Sequence, residues 1–255
     1  MAKKIVQSVD RALIILEALA EAGSPMTLSN LAEEIELNIS TVHRILTTLG
    51  ERNFIEQKQE SGKYYLGLKA FEIGNAAKKN INLINVAKPY LQKLVDECNE
   101  TTNLAILDEG EVVYVDQAAS TNMVKMFAQI GSRGPAYCTG TGKALLAYEP
   151  SDKRVQFFEE MGLRKLTEKT VVDPEELEKE MKKIRQRGYA LDMGEIEEGV
   201  RCVAAPIRNH EQKVVAAVSV SGPSIRMTEE LIEEKIIPTV MKVANQISTQ
   251  LGYHR

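Results

Sequence analysis

Apolar residues near the start of the chain recur every three or four positions, which is the spacing of a helix packed on one side. The pattern predicts a first helix from about Val9 to Ala22, with Ser8 placed to cap its start and Gly23 placed to end it. The expected inward stripe of this helix is Val9, Leu13, Leu16 and Ala20.

Two further short helices are predicted directly after the first. Thr27 can cap a helix from Leu28 to Glu34, and Asn38 or Ser40 can cap a third helix that reaches about Arg52. The inward positions of these two helices are Leu28, Leu31, Ala32, Ile35, Val42, Ile45, Leu46 and Leu49. The other face of the third helix is short, polar and able to form hydrogen bonds. Such a face, after a tight turn from another helix, is typical of a recognition helix in the DNA major groove, although protein-interaction surfaces also use it.

Two alternating segments after the third helix predict a β-hairpin. Residues 54–58 and 63–66 flank a turn at residues 60–62 that contains a glycine. Three helices followed by a hairpin predict a winged helix-turn-helix, with lysines at the hairpin tip that could reach phosphates. The candidate DNA-contacting residues are Thr27, Ser40, Thr41, His43, Arg44, Thr47, Lys58 and Lys63.

The middle of the chain changes from helical to extended spacing. A linker helix is predicted over residues 68–79 and a second helix over 82–99, where Pro89 predicts a kink or a nearby helix start. Strands are predicted at residues 103–107, 112–117, 123–128, 189–192, 200–207 and 214–221, and helix starts at Ser151, Asp173-Pro174 and Met227-Thr228. Helices around an antiparallel sheet give an α+β fold class. We divide the chain into a winged helix-turn-helix (1–67), a linker helix (68–80) and a larger domain (81–255).

Composition agrees with this division and excludes some classes of protein. A chain of 255 residues with 44% hydrophobic and 27% charged residues fits two ordinary domains, and it contains no apolar run of membrane-spanning length. Three cysteines without CxxC spacing, and a start without the features of a signal peptide, favour the cytoplasm and no contact with a membrane. Residues 1–80 contain ten Lys or Arg and ten Asp or Glu. The prediction of DNA binding therefore depends on pattern rather than on net charge.

Several segments resemble the IclR family of bacterial transcription regulators. Residues 8–16 and 40–46 are similar to the N-terminal motifs of that family, and residues 199–207 and 217–223 are similar to its C-terminal signature. Residues 139–147 and 187–192 also lie where the family places them. The resemblance covers almost the whole chain in the same order.

This resemblance implies a winged-helix domain, a linker helix and an effector-binding domain with a GAF/PAS-like sheet. It implies homodimers that pair into tetramers, double-stranded operator DNA and a small organic acid as partners, and repression or activation of a catabolic operon. No cofactor and no enzymatic activity are expected. Residues 135–143 look more like the branch that responds to sugar acids, such as 2-keto-3-deoxygluconate, than like the branch that responds to aromatic acids.

A glycine-containing turn at residues 138–143 is the candidate anion site. Glycines let backbone amides approach a carboxylate, and a helix begins here; the same turn could instead simply pack a helix on a sheet. It is not a Walker A loop, because Ala144 occupies the Ser/Thr position. By the resemblance, the effector would contact the amides of Gly140 and Thr141. Polar side chains and an apolar wall would complete the effector site: Asp192, Cys202, Ser219, Ser221, Met123, Met126 and Val200.

Cys202 permits a competing interpretation. With an acidic neighbour it could be a catalytic thiol or, with Asp192 and Glu195, a metal ligand. None of the three histidines (His43, His210, His254) has the spacing of a base for this thiol, so a small buried apolar residue without a metal is favoured. Two alternatives stay open: a small-acid-converting enzyme that uses Cys202, and a DNA-binding oligomeric scaffold without a ligand.

Overall fold

The computed structural model describes residues 5–80, 82–126 and 128–253, and the chain divides into two compact units between residues 81 and 82. The first unit contains α1 (Gln7–Glu21), α2 (Leu28–Glu34), α3 (Ile39–Glu51), β1 (Ile55–Gln57), β2 (Tyr64–Leu66) and α4 (Leu68–Asn80). Strands β1 and β2 pair antiparallel, so the predicted winged helix-turn-helix is confirmed. A bridge between Met26 and Tyr64 adds a third short segment to the wing, which the sequence did not indicate.

The predicted helix caps are correct at some positions and wrong at others. Thr27 does cap α2, because its Oγ1 accepts a hydrogen bond of 3.2 Å from the amide of Asn30. Asn38 is the N-cap residue of α3, but its side chain makes no cap hydrogen bond. Ser8 lies inside α1, which begins after Val6. The start of α1 therefore has no side-chain cap.

The inward stripe predicted for α1 was wrong. The helix buries Ile15 and Leu19 completely or almost so, whereas Val9 is 56% exposed and Leu13 is 52% exposed. Leu16 packs at the edge of the core, and Ala20 is exposed. The sequence has apolar residues on both sides of this helix, so periodicity alone fits two rotations about its axis. Contact with α2, α3 and the wing selects the rotation that leaves an apolar stripe open.

The second unit is built on a six-stranded antiparallel sheet with the strand order β5-β4-β3-β8-β7-β6. Its strands are β3 (Thr101–Asp108), β4 (Glu111–Ala118), β5 (Arg133–Pro135), β6 (Ala190–Asp192), β7 (Val200–Arg208) and β8 (Val214–Pro223). Its helices are α5 (Asn82–Cys98), α6 (Gly140–Leu146), α7 (Ser151–Met161), α8 (Pro174–Arg187), α9 (Glu229–Leu231) and α10 (Ile237–Gln250). This arrangement confirms the predicted α+β class.

Helices cover both faces of the sheet, so there are two cores. One core packs α5 and the closing helices α9 and α10 against residues such as Leu104, Val203 and Val218. The other packs α6, α7 and α8 against the opposite face, where Ala105, Ala204 and Ala217 leave room for α6. The small side chains of the second face allow α6 to lie close to the central strands.

The segment from Met123 to Ala128 is not a strand in its described residues, which corrects the prediction of a third strand there. The third strand of this half is β5, which pairs with β4 from Glu111 to Val113. The apolar residues of the 123–128 segment are typical of a strand, but Met123 is fully exposed and does not pack against the sheet. Local sequence could not reveal this, because it does not show which segment reaches the edge of the sheet.

The closing helix contains a π-helical turn over Ile232–Ile236 between α9 and α10. Pro238 follows this turn and has no backbone N–H, and its ring would clash with a carbonyl one α-helical turn earlier. A π turn removes that conflict by inserting one residue. Among the described helices, none has the length and apolar character needed to cross a membrane.

Candidate functional site

The outward face of α3 is the candidate DNA-contacting surface of the first unit. Val42 and Leu46 are buried on its inner side. Ser40, His43, Arg44 and Thr47 are exposed and Thr41 is half-buried. The Thr47 hydroxyl donates to the carbonyl of His43 at 2.9 Å, so its proton is already used within the helix. The remaining polar groups of this face are free to meet another molecule.

The hairpin tip presents two lysines. Lys58 and Lys63 are exposed and face each other across the turn, where the amide of Lys58 donates to the carbonyl of Lys63 at 2.9 Å. Neither lysine, nor Arg44, forms an ion pair with any described residue. Thr27 differs from the other candidates, because it is half-buried and its hydroxyl oxygen caps α2. Arg11, which is not among the predicted contacts, lines the same groove as Thr41 and Arg44.

The second unit contains a cavity of about 480 Å³ beside the start of α6, which we call the α6 cavity. It is bounded by strands β3, β4, β7 and β8, by the segment before β5 and by the loop after β6. Most of the residues proposed from the sequence do line it: Met126, Gly140, Thr141, Asp192, Val200, Cys202 and Ser221. Fold topology thus brings together residues that are up to 95 positions apart along the chain, from Met126 to Ser221.

Two of the proposed residues do not line the α6 cavity. Met123 is fully exposed, because the segment that carries it is not a strand and does not point it inward. Ser219 is 1% exposed and lies two residues before Ser221 on β8, so both side chains are on the same face of the sheet. Its Oγ has no hydrogen-bond partner among the described residues. Ser219 is therefore buried next to the cavity without being one of its lining residues.

Asp192 is the buried carboxylate of the α6 cavity. Its Oδ1 accepts hydrogen bonds from the amides of Gly194 at 3.0 Å and Glu195 at 2.7 Å, and the residue lines the cavity. Burial raises the pKa of Asp192, and the backbone hydrogen bonds and Lys143 oppose that shift. The carboxylate can therefore accept a hydrogen bond from a ligand hydroxyl.

A buried ion pair lies behind this carboxylate. Lys143 of α6 is bonded to Glu195, and the two residues are only 3% and 8% exposed. The pKa of Glu195 is raised, chiefly by burial, and the neighbouring ammonium of Lys143 limits the rise. Glu195 Oε2 has no hydrogen-bond partner among the described residues. Because Lys143 is held by Glu195, it is not a free cation for a ligand in the α6 cavity.

Two glycines allow α6 to lie against the sheet. A Cβ at Gly140 would lie 2.7 Å from Cys202 Sγ, and a Cβ at Gly142 would lie 2.3 Å from the Cα and the carbonyl oxygen of Ala136. The Thr139 hydroxyl caps the helix by accepting from the amide of Gly142 at 3.2 Å. The glycines therefore allow the helix to pack closely against its neighbours. Both interpretations of this turn are compatible with its geometry.

Six polar residues among those that line the α6 cavity were not predicted from the sequence: Asn103, Tyr114, Gln129, Ser132, Arg133 and Glu197. Asn103 on β3 is buried, accepts from Gln117 Nε2 at 2.8 Å and lies 3.5 Å from Ser221 Oγ. Burial raises the pKa of Tyr114 to about 12, so its phenol is a neutral group at pH 7. Arg133 also lines the cavity but is paired with Asp108 and Glu111. The one available signal was the position of Asn103 directly before the apolar run of residues 104–107.

Cys202 is 7% exposed, and burial raises the pKa of its thiol to about 11. Such a thiol is protonated at pH 7 and is a weak nucleophile. Among the described residues, no three His, Cys, Asp or Glu side chains lie close enough to hold a metal ion.

All three thiols should react slowly with iodoacetamide in the folded protein. Burial raises the pKa of Cys98 to about 11 and that of Cys138 to about 12. Relative to a free cysteine, a rise of two pKa units lowers the thiolate fraction at pH 8 by about 100-fold. Mass spectrometry after timed alkylation should show fast labelling only in urea. A cysteine that is labelled in the native protein as fast as free cysteine would contradict the pKa shift at that position.

Comparisons with known proteins cover both units. Residues 8–59 match the model of the IclR helix-turn-helix domain, and residues 75–249 match the model named Bacterial transcriptional regulator IclR C-terminal. The chain is 35% identical over 249 residues to the transcriptional repressor IclR of Escherichia coli strain K12, covering 97% of this chain and 90% of that protein. It is 36% identical to the HTH-type transcriptional regulator KdgR of the same organism, covering 98% and 94%.

A solved structure of an IclR homologue has the same fold as this chain. The crystal structure of an IclR homologue from Microbacterium hydrocarbonoxydans, complexed with 4-hydroxybenzoate, superposes with a TM-score of 0.85 at 26% sequence identity. The superposition covers 96% of this chain and 98% of that chain. That relative binds an aromatic acid.

Proposed function

The chain belongs to the IclR family of bacterial transcriptional regulators, and on this basis we propose that it represses a catabolic operon and is controlled by a small organic acid bound in the α6 cavity. The observation that carries the proposal is the match of both units to the two models of the family. Relatives of this chain are named repressors and regulators rather than enzymes. The place of action is the cytoplasm, where bacterial operators are accessible.

DNA binding is assigned to the outward face of α3 and the tip of the wing. Arg44, Lys58 and Lys63 have no acidic partner among the described residues, so they can neutralise phosphates or contact base edges. Ser40, Thr41, His43 and Thr47 add hydrogen-bonding groups on the same helix face, and Thr27 adds one at the start of α2. In this family-based proposal, two copies of α3 contact two half-sites of a near-palindromic operator.

Self-association is supported by the apolar stripe on α1. Val9 and Leu13 are more than half exposed, and Ile5 and Val6, which precede the helix, are 70% and 63% exposed. Exposed apolar residues clustered on one short segment are typical of an interaction site. A homodimer formed through this stripe supplies the two DNA-binding heads that the operator model requires, and dimers can pair further into a tetramer.

The groups of the α6 cavity favour a hydroxylated acid as the effector. Among the described residues that line it, Arg133 is the one cation and is already paired with two carboxylates, so a ligand carboxylate must be held by hydrogen-bond donors such as the amides of Gly140 and Thr141. Asp192 accepts hydrogen bonds and therefore favours a ligand with hydroxyl groups. A sugar acid has both features. Met126 and Val200 supply the apolar wall.

Control of DNA binding needs a coupling between effector and operator. A ligand that prefers one arrangement of the two units shifts the population toward it, and couplings of this kind are typically about 1–3 kcal/mol, or 5- to 150-fold in affinity. The proposal is therefore that effector binding weakens operator binding by a factor in this range.

A ligand screen tests the proposal. Sugar acids, keto acids and aromatic acids are added to the protein, and the shift in its melting temperature and any turnover are measured. A sugar acid should stabilise the protein without being converted, since a ligand that binds only the folded state raises the free energy of unfolding. Asp192→Asn should weaken that effector by about tenfold, because one charge-assisted hydrogen bond becomes a neutral one.

The matched control is Asp96→Asn, which makes the same charge change on an exposed face of α5. It should leave the effector affinity unchanged. Turnover that disappears in Cys202→Ser would instead support the enzyme alternative, and the absence of stabilisation by all three classes of acid would support the scaffold without a ligand. Stabilisation by aromatic acids alone would overturn the choice of a hydroxylated acid.

A further inference from the structure

A second cavity lies in the same unit and is lined by three arginines. It measures about 230 Å³, and we call it the arginine pocket after Arg185, Arg187 and Arg208. Two tyrosines, Tyr148 and Tyr253, also line it. No aspartate or glutamate is among its described lining residues. The charge of the lining groups is therefore strongly positive, in a protein whose net charge is −4.

Arg208 is held in place by aromatic rings. Its guanidinium carbon lies 4.5 Å from the centroid of the Tyr148 ring and 5.9 Å from that of Tyr253. One of its nitrogens donates to the carbonyl of Gln212 at 2.9 Å. Cation–π contacts fix the plane of a guanidinium and leave its outer N–H groups available.

The other two arginines are each anchored by a backbone carbonyl. Arg185 donates to the carbonyl of Ala147 at 2.6 Å, and Arg187 donates to the carbonyl of Tyr189 at 2.8 Å while its guanidinium lies 4.8 Å from the Tyr189 ring. Each of the three guanidinium groups is thus oriented before any ligand arrives. Less conformational entropy is then lost when a ligand binds.

The positive charge of the arginine pocket is only partly balanced. Arg187 pairs with Glu180 at 2.7 Å, whereas Arg185 and Arg208 form no ion pair with any described residue. Grouping three guanidinium ions around one concave site costs electrostatic free energy that an anion would recover. An anion with a single charge would balance only part of this cluster.

We propose that the arginine pocket binds a small anion with two or more negative charges, such as a phosphate ester or a di- or tricarboxylate. A guanidinium presents two parallel N–H groups that match the oxygens of phosphate and carboxylate, and three such groups can surround one small anion. The concave shape and the volume of about 230 Å³ favour a small molecule over a strand of nucleic acid or a folded partner. The site is separate from the α6 cavity, with which it shares no lining residue.

Isothermal titration calorimetry on the full chain tests this proposal at fixed ionic strength, with pyrophosphate, citrate and acetate as probes. Pyrophosphate or citrate should bind with one site per chain, and acetate should bind at least about tenfold more weakly. Arg185→Gln should weaken the binding of the multivalent anion by about tenfold or more. Arg185 is exposed and makes one hydrogen bond, so this variant should keep the fold. Arg208→Lys is a second variant, which keeps the positive charge but loses the two parallel N–H groups of the guanidinium.

The matched control is the double variant Lys182→Gln/Lys242→Gln, which removes two exposed charges near the arginine pocket but not in its lining. The affinity of this double variant for the multivalent anion should stay within about twofold of that of the unchanged protein, since solvent and salt screen exposed charges outside the site. Binding of pyrophosphate alone identifies a phosphate-bearing ligand, and binding of citrate alone identifies a polycarboxylate. The proposal is overturned if neither anion saturates a site, if Arg185→Gln leaves the affinity unchanged, or if the control variant loses as much affinity as Arg185→Gln.

Discussion

Replacing Arg44 by alanine should lower the affinity for the operator by about ten- to a hundredfold, because a base-contacting arginine contributes about 1–3 kcal/mol per site. Arg44 is exposed on α3, and its side chain holds no other described element in place. Fluorescence anisotropy with DNA from the region upstream of the regulated operon measures the affinity. The effector affinity and the melting temperature should not change, since Arg44 lies in neither core.

Arg52→Ala is the matched control for this experiment. Arg52 is the exposed C-cap residue of α3, eight residues and about 12 Å along the helix from Arg44, and its replacement removes the same charge. A general loss of positive charge would affect both variants equally. If Arg44→Ala binds the operator as tightly as the original protein, α3 does not present Arg44 to the DNA and the assigned contact face is wrong.

Gly142→Ala should destabilise the second unit by about 3 kcal/mol, although alanine normally stabilises a helix relative to glycine. The new Cβ would lie 2.3 Å from the backbone of Ala136 and 2.5 Å from Thr139 Oγ1. Because the clash is with backbone, α6 must move away from the sheet. The melting temperature of this unit should fall by about 10 °C in calorimetry.

Gly74→Ala is the control, and we expect it to change the free energy of unfolding in the opposite direction. Gly74 lies inside α4, and a Cβ there would have nothing within 4 Å. Alanine should therefore stabilise the helix by up to about 1 kcal/mol, through its higher helix propensity. If Gly142→Ala were as stable as the original protein, α6 would not be packed against Ala136 as closely as the structure shows.

Most elements of the fold could be predicted from the sequence because their local signals are strong. Helical spacing located α2 and α3, Thr27 located a cap, and extended segments at residues 103–107 and 112–117 located β3 and β4, which pair as a hairpin. These signals act over a few residues. Two of the errors, the rotation of α1 and the strand at residues 123–128, arose where apolar residues fit more than one structure and only tertiary contacts decide.

The residues of the candidate sites also fall into two groups, those that local sequence predicts and those that only tertiary structure brings together. Ser219 and Ser221 share a face because they are two apart on one strand, and this could be predicted. The arrival of Asn103 beside them depends on the register in which Asn103 pairs with Ser219, and local sequence does not contain that register. The arginine pocket combines residues from α8 and β7 with Tyr253. Because these residues are far apart in the sequence, no short motif predicts the pocket.

The open apolar stripe of α1 also connects regulation to the number of copies in the cell. If a second copy covers Val9 and Leu13, an isolated chain exposes them and carries only one DNA-binding head. Below the dissociation constant of the pair, operator occupancy would then rise with the square of the total concentration. Dilution by cell growth would thus relieve repression more steeply than a monomeric repressor would allow, even without any effector.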